Sequence, residues 1–209
     1  MHFITPDEDS FINDINSFIK AHNEPMPDTS PYNQYKVMEL ASKYVKVTLE
    51  GQGADEQLAG YHNFFSIYFL ELFRKGKLFR LLKELFKYFV KHKNTIILFY
   101  LVYYIMPEFI QNMISQKRFP TISKSFAKKF RGKSKVLRSL YKPKSLNHSL
   151  LQHFENKLEH LLKWVDLNSM HFSIESRVPF LDHNLVEATL KSPSNYKIRH
   201  GETKYILRE

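Results

Sequence analysis

Between Val45 and Leu49 the apolar residues Val45, Val47 and Leu49 alternate with Lys46 and Thr48. A period of two is that of a pleated strand. From Ala54 onward the residues include good helix formers, so the period lengthens to that of a helix. Between the two patterns lies Glu50-Gly51-Gln52-Gly53. The spacing predicts a strand, a Gly-rich turn and a helix whose first turn holds Asp55 and Glu56. Upstream, Phe11, Ile15, Phe18 and Ile19 form an i, i+4, i+7, i+8 stripe, predicting a helix over Thr5–Lys20. A proline-containing loop over 21–31 separates it from a second helix, Asn33–Tyr44, with Val37, Leu40, Ala41 and Tyr44 on one face. Downstream, Tyr61–His92 has helical spacing broken at Gly76, predicting two helices. Thr95–Met106 reads as a buried helix, and His148–Trp164 as a further amphipathic one. No internal repeat is evident.

Helix, strand, Gly turn and helix in succession form the middle of a parallel α/β sheet. The expected class is therefore α/β, predominantly helical, with one clear parallel strand. A parallel sheet needs more strands than that, so the chain is expected to be a truncated, internal piece of a larger domain.

Composition narrows the partners. The 209 residues include no cysteine, which removes disulfides and thiolate metal sites and fits a cytoplasmic location. No signal-peptide pattern opens the sequence. The apolar run Thr95–Met106 is shorter than the ~20 residues of a membrane span, so no span is expected, with a re-entrant or membrane-surface segment as the minority reading. The net charge is +10, but Lys117–Lys144 holds 11 basic residues and no acid, leaving 20 basic against 21 acidic elsewhere. The excess is one local run, read as a solvated connection rather than a phosphate-binding surface. It lacks the patterns of base-reading domains, so no nucleic acid is expected.

Three stretches carry candidate chemistry. In the first, Gly51 and Gly53 let backbone N–H groups approach a ligand with no Cβ in the way, and the helix start favours anions. Taken locally, the same pattern is also a tight βα turn with Asp55 and Glu56 as capping acids. In the second, Asp166–Val186, Arg177, Pro179 and Asp182 lie around a rigid turn, and Arg177 and Asp182 also read as a structural pair. In the third, Lys197–Glu209, Gly201 opens a turn and Lys204 starts a helix. Alone, Lys204 is a solvated lysine.

Together and in order, EGQGADEQLAGY, SMHFSIESRVPFLDHNLVEATL and KIRHGETKYILRE resemble the synthetase domain of glutamine-hydrolysing asparagine synthetases, as does the upstream HNEPMPDTSPYNQYKVMELA. The resemblance covers most of residues 1–209 as a partial synthetase domain, with a variable segment at about 64–146. It implies an adenine-nucleotide α-hydrolase (HUP-like) fold and ATP and Mg²⁺ as cofactors. It also implies formation of asparagine from aspartate through β-aspartyl-AMP, with ammonia drawn from glutamine. Residue by residue, it implies nucleotide contacts at Glu50, Gly51 and Gly53 and Mg²⁺ at Asp55. It places Gln52 and Glu56 along the acyl-adenylate region and Lys204 on the transferring phosphate. It also implies that Arg177 and Asp182 organise the loop beneath the site.

The sequence departs from that family in several places. Gln52 stands where Glu is common, and an amide cannot act as a base. Glu50 replaces a common Ser or Asp, and Leu167 a common Arg. No SGGLDSS-like pyrophosphate loop and no N-terminal Cys nucleophile occur in these residues, so the chain is expected to need a missing N-terminal half or glutaminase domain and to be inactive alone. Two rival readings follow: a non-catalytic or split-enzyme subunit or interaction module, or a related amidotransferase acting on a sugar, peptide or β-lactam precursor.

Overall fold

The computed structural model describes residues 1–26, 29–107, 109–111, 113–114, 123–130 and 143–209. It divides into two compact units, Met1–Gly53 with Lys157–Asp182, and Ala54–Asn156 with His183–Glu209. The long helix Leu146–His171 contributes its first part to the second unit and the remainder to the first.

In the first unit, α1 is Glu8–His22. It starts at Glu8 rather than Thr5 because Asp7 caps it: Ser10 N–H donates to Asp7 Oδ1 at 2.9 Å, and Asp7 N–H donates to Ser10 Oγ at 3.0 Å. Helix α2, Ser30–Ala41, buries Tyr32, Tyr35 and Met38. The expected face does not pack, since Val37 and Tyr44 are exposed. The tyrosines win because their rings meet Phe18, and Phe11, Met26 and Phe172 close round them. Aromatic pairs in tilted or edge contact add about 0.5–1.5 kcal/mol each beyond burial. Below this cluster, Asn168 bridges His22 Nε2 at 2.8 Å and the Pro31 carbonyl at 3.0 Å.

The expected strand forms over Val47–Leu49 (β1) and has a partner the pattern did not reveal. β2, Glu175–Arg177, pairs with it in parallel, Val47 opposite Glu175 and Leu49 opposite Arg177. Glu175 N–H donates to Lys46 O and Glu50 N–H to Arg177 O, closing the ladder at both ends. Glu-Ser-Arg has no alternation of apolar residues, so backbone pairing alone makes it a strand. Arg177 is thus a strand residue, paired with Glu175 Oε1 at 2.8 Å. Both Arg177 and Asp182 are exposed.

In the second unit, α3 (Ala54–Leu58), α4 (Asn63–Arg74), α5 (Leu78–His92) and α6 (Ile96–Ile105) follow in order. Gly76, at φ +66°, breaks the chain between α4 and α5 as expected. Helix α4 is the centre of the core: Phe64, Phe65, Tyr68, Phe69 and Leu72 are buried with Tyr88, Ile97, Leu146, Leu150 and Ile198. Helix α6 is not the fully buried helix that its run of apolar residues suggested. Only Ile97 is buried, while Leu98, Phe99, Val102 and Ile105 are exposed. Composition gives hydrophobicity but not how many neighbours exist to cover it. The helix expected at His148–Trp164 runs further at both ends, Leu146–His171. Most of the basic run at 117–144 lies outside the described residues.

Candidate active site

The Gly turn closes the first unit. Gly53 has φ +89°, a left-handed conformation that favours glycine, whereas a Cβ on Gly51 would meet open space. Gly53 therefore shapes the turn, and Gly51 leaves its surface bare. Glu50 is half-buried, and burial pushes its carboxyl above the usual range against a weaker opposing hydrogen bond from Gln34. Gln52 is half-buried beside it.

The second unit opens with α3, which holds Asp55 and Glu56 in one turn but sends them to different places. Asp55 is half-exposed and meets Lys204, whose Nζ lies 2.5 Å from Asp55 Oδ1. Glu56 is buried, at 1% exposure, and accepts a hydrogen bond from the Tyr61 hydroxyl at 2.5 Å. Burial, reinforced by the Glu56 carboxylate, pushes the Tyr61 phenol above its ordinary range, so Tyr61 remains a donor. Gln57, also buried, accepts from Thr189 Oγ1 at 2.6 Å.

Gly60 decides whether the ion pair can form. A Cβ built there would lie 1.6 Å from Asp55 Oδ1 and 2.7 Å from Lys204 Cε. Lys204 is held from two sides. Its own N–H donates to the Leu58 carbonyl at 3.1 Å, and its backbone is left-handed at φ +51° at the start of the short helix Tyr205–Arg208. The preceding loop is seated on α5. Gly201 N–H donates to the buried Glu84 carboxylate at 3.3 Å, His92 Nε2–H donates to the Gly201 carbonyl at 2.8 Å, and Lys91 pairs with Glu202. A Cβ on Gly201 would press the Lys87 carbonyl carbon at 3.0 Å, and its φ is +69°.

Asp55, Glu56 and Lys204 are thus placed in one unit, with Asp55 and Lys204 in contact. Glu50, Gly51, Gln52 and Gly53 belong to the other. Sequence reasoning missed Gly60, Tyr61, Gln57 and Thr189. The signal for the first two was a glycine two residues past a helix end, followed by an aromatic that carries a hydroxyl.

These features describe a mainly helical α/β chain with a short parallel sheet and a carboxylate–ammonium centre at a helix start. The family profile described as asparagine synthase matches residues 2–209, and the chain belongs to that family. It is 24% identical to asparagine synthetase [glutamine-hydrolyzing] 1 of Bacillus subtilis (strain 168), an alignment covering 99% of this chain and 34% of that protein. It is 38% identical over 61 residues to putative asparagine synthetase [glutamine-hydrolyzing] 2 of Methanocaldococcus jannaschii, covering 29% of this chain and 12% of the relative. The chain therefore spans about a third of the length of the first of these relatives. No solved structure matches it.

Proposed function

We propose that this chain supplies the Asp55–Lys204 part of an ATP-dependent, amide-forming ligase that activates a carboxylate by adenylation. The observation that carries this reading is the 2.5 Å contact between Asp55 and Lys204, brought together across a glycine that has no room for a side chain. In adenylation the carboxylate attacks the α-phosphorus of ATP and pyrophosphate leaves. Negative charge develops on the phosphate oxygens, and a fixed ammonium there stabilises the transition state more than the ground state. Lys204 has the chemistry for that task. Its left-handed backbone and the seat on α5 fix its direction, so little reorganisation is required at the moment of reaction.

Asp55 holds the ammonium in place and offers a hard oxygen to a cation. Among the described residues no group of three candidate metal ligands exists. The single Asp55 carboxylate suits Mg²⁺, which takes one or two carboxylates and fills its remaining positions with phosphate oxygens and water. Bound there, the ion would neutralise phosphate charge. In the same reading Glu50, Gly51 and Gly53 contact the nucleotide, and Gln52 and Glu56 line the acyl-adenylate region. The fold is of the adenine-nucleotide α-hydrolase type. The carboxylate is that of aspartate and the amine is ammonia released from glutamine elsewhere in the enzyme. The 209 residues alone do not turn over, because they hold only one side of the phosphate site.

An acyl-phosphate derivative of ATP, which modifies lysines beside bound phosphates, tests the placement. Labelling is expected at Lys204, suppressed by excess Mg²⁺–ATP and reduced in Asp55→Asn. Uniform labelling of surface lysines, with no protection of Lys204, would contradict it.

A further inference from the structure

A second polar site lies in the second unit, lined by none of the residues assigned above. The end of α4, the start of α5, Ser145, Asn147, and Pro193 with the start of the short helix Ser194–Lys197 line a cavity of about 200 Å³. Its charged lining residues are Glu71, Lys75, Lys77 and Arg80.

Glu71 is already satisfied. It accepts from Lys75 Nζ at 2.5 Å, from Leu146 N–H at 2.7 Å and from Ser194 Oγ at 3.1 Å. Burial pushes its carboxyl up, but these three donors outweigh that and hold it below the usual range. The lining then carries three cations against one anion, a surplus of two positive charges. Lys77 and Arg80 make no salt bridge to a described carboxylate.

Tyr68 provides the independent sign. The residue is 1% exposed, and its buried hydroxyl interacts with the Arg80 guanidinium without meeting a described acceptor. A buried O–H with no acceptor costs free energy unless something supplies one. Burial pushes its phenol up to about 12, so the group is a donor at neutral pH. Ser145 and Asn195 add further donors to the wall.

We infer that this cavity is a binding site for a small phosphate monoester. Surplus charge of +2 matches a group that carries about −1.5 to −2 at pH 7. The Arg80 fork and the Tyr68 and serine hydroxyls suit tetrahedral oxygens. The volume lies below the about 300 Å³ at which pockets for drug-sized ligands begin, so it suits a phosphate with a short organic substituent rather than a whole nucleotide.

Isothermal titration of the full chain with inorganic phosphate and with glycerol 3-phosphate tests this, with succinate as the dianionic control. Saturable, salt-sensitive binding of both phosphates is expected, at least about tenfold tighter than succinate. Arg80→Ser should weaken it about tenfold or more, and Tyr68→Phe, which keeps the ring, by several-fold. Lys77→Ser, at an exposed position, gives a second cation variant if Arg80→Ser does not fold. Lys204→Ala should leave the affinity unchanged. No saturable binding, equal binding of succinate, indifference to all three cavity substitutions, or loss of binding in Lys204→Ala would each overturn the assignment.

Discussion

Gly60 is the residue on which the candidate centre depends most. Any side chain there must displace Asp55 Oδ1, and an aspartate is too short to move aside without leaving Lys204. The Asp55–Lys204 pair is half-exposed, so its own worth to stability is only about 0–1 kcal/mol. Overpacking adds roughly 1–3 kcal/mol. Gly60→Ala is therefore expected to lower stability by about 1–3 kcal/mol in urea unfolding, whereas Lys204→Ala lowers it by less than about 1. Equal, near-zero effects would show that the glycine is not a steric requirement. Lys197 offers a separate test at this scale. It is fully buried, donates to Asn147 Oδ1 at 2.6 Å and to the Ser192 carbonyl at 2.9 Å, and burial lowers its pKa to about 8. Between about pH 8 and the ordinary lysine value near 10.5, the unfolded chain binds the extra proton. Stability from this group thus rises with pH across that window, and the penalty is complete below it. The urea midpoint of the native chain is expected to rise relative to Lys197→Met between pH 7.5 and 10. A flat difference would contradict the burial argument.

At the scale of elements, α5 is the part that positions Lys204. Glu84 and His92 hold the Gly201 backbone, and Gly201 itself must be left-handed. Gly201→Ala brings both an unfavourable φ and a 3.0 Å contact with the α5 backbone. It is expected to cost roughly 2 kcal/mol or more and to abolish nucleotide-protected labelling of Lys204. Full protection in a variant that melts like the native chain would sever α5 from the site. The strand, the Gly turn, the helix start at Asp55 and the break at Gly76 were all legible, because each rests on local periodicity or on a glycine. β2 was not, since Glu175-Ser176-Arg177 is a strand only through its partner. The exposure of α6 and the tyrosine face of α2 were hidden for the same reason: packing is decided by neighbours distant in sequence. The meeting of Asp55 with Lys204 was legible only through the resemblance, and Gly60 as its steric condition was not legible at all.

For the whole molecule, the exposed apolar surface carries the clearest expectation. Val47 and Leu49 on β1, and Phe79, Leu82, Phe86 and Val90 along α5, face solvent. A two-stranded sheet is marginal in isolation, and open strand edges template pairing. The chain is therefore expected to self-associate with rising concentration in size-exclusion chromatography. Phe86→Lys should shift it toward the monomer while changing stability by about 0.5 kcal/mol or less. A monodisperse monomer with a sharp cooperative melt would count against this.

No helix of the described residues is long and apolar enough to cross a membrane. Pyrophosphate exchange addresses the Asp55–Lys204 centre most directly. The measurement is aspartate-dependent incorporation of labelled pyrophosphate into ATP. It would be made with the 209-residue chain alone, with a segment carrying a Gly/Ser pyrophosphate loop added in trans, and with the Lys204→Ala and Asp55→Asn variants. Each lost donor at an oxyanion-type site costs about 2.7–4 kcal/mol, so one side of the phosphate site is expected to give no measurable rate. Exchange should appear when the loop is supplied and vanish again in both variants. Exchange that survives Lys204→Ala would contradict the assignment of this lysine, and with it the account of what the Asp55–Lys204 pair is for.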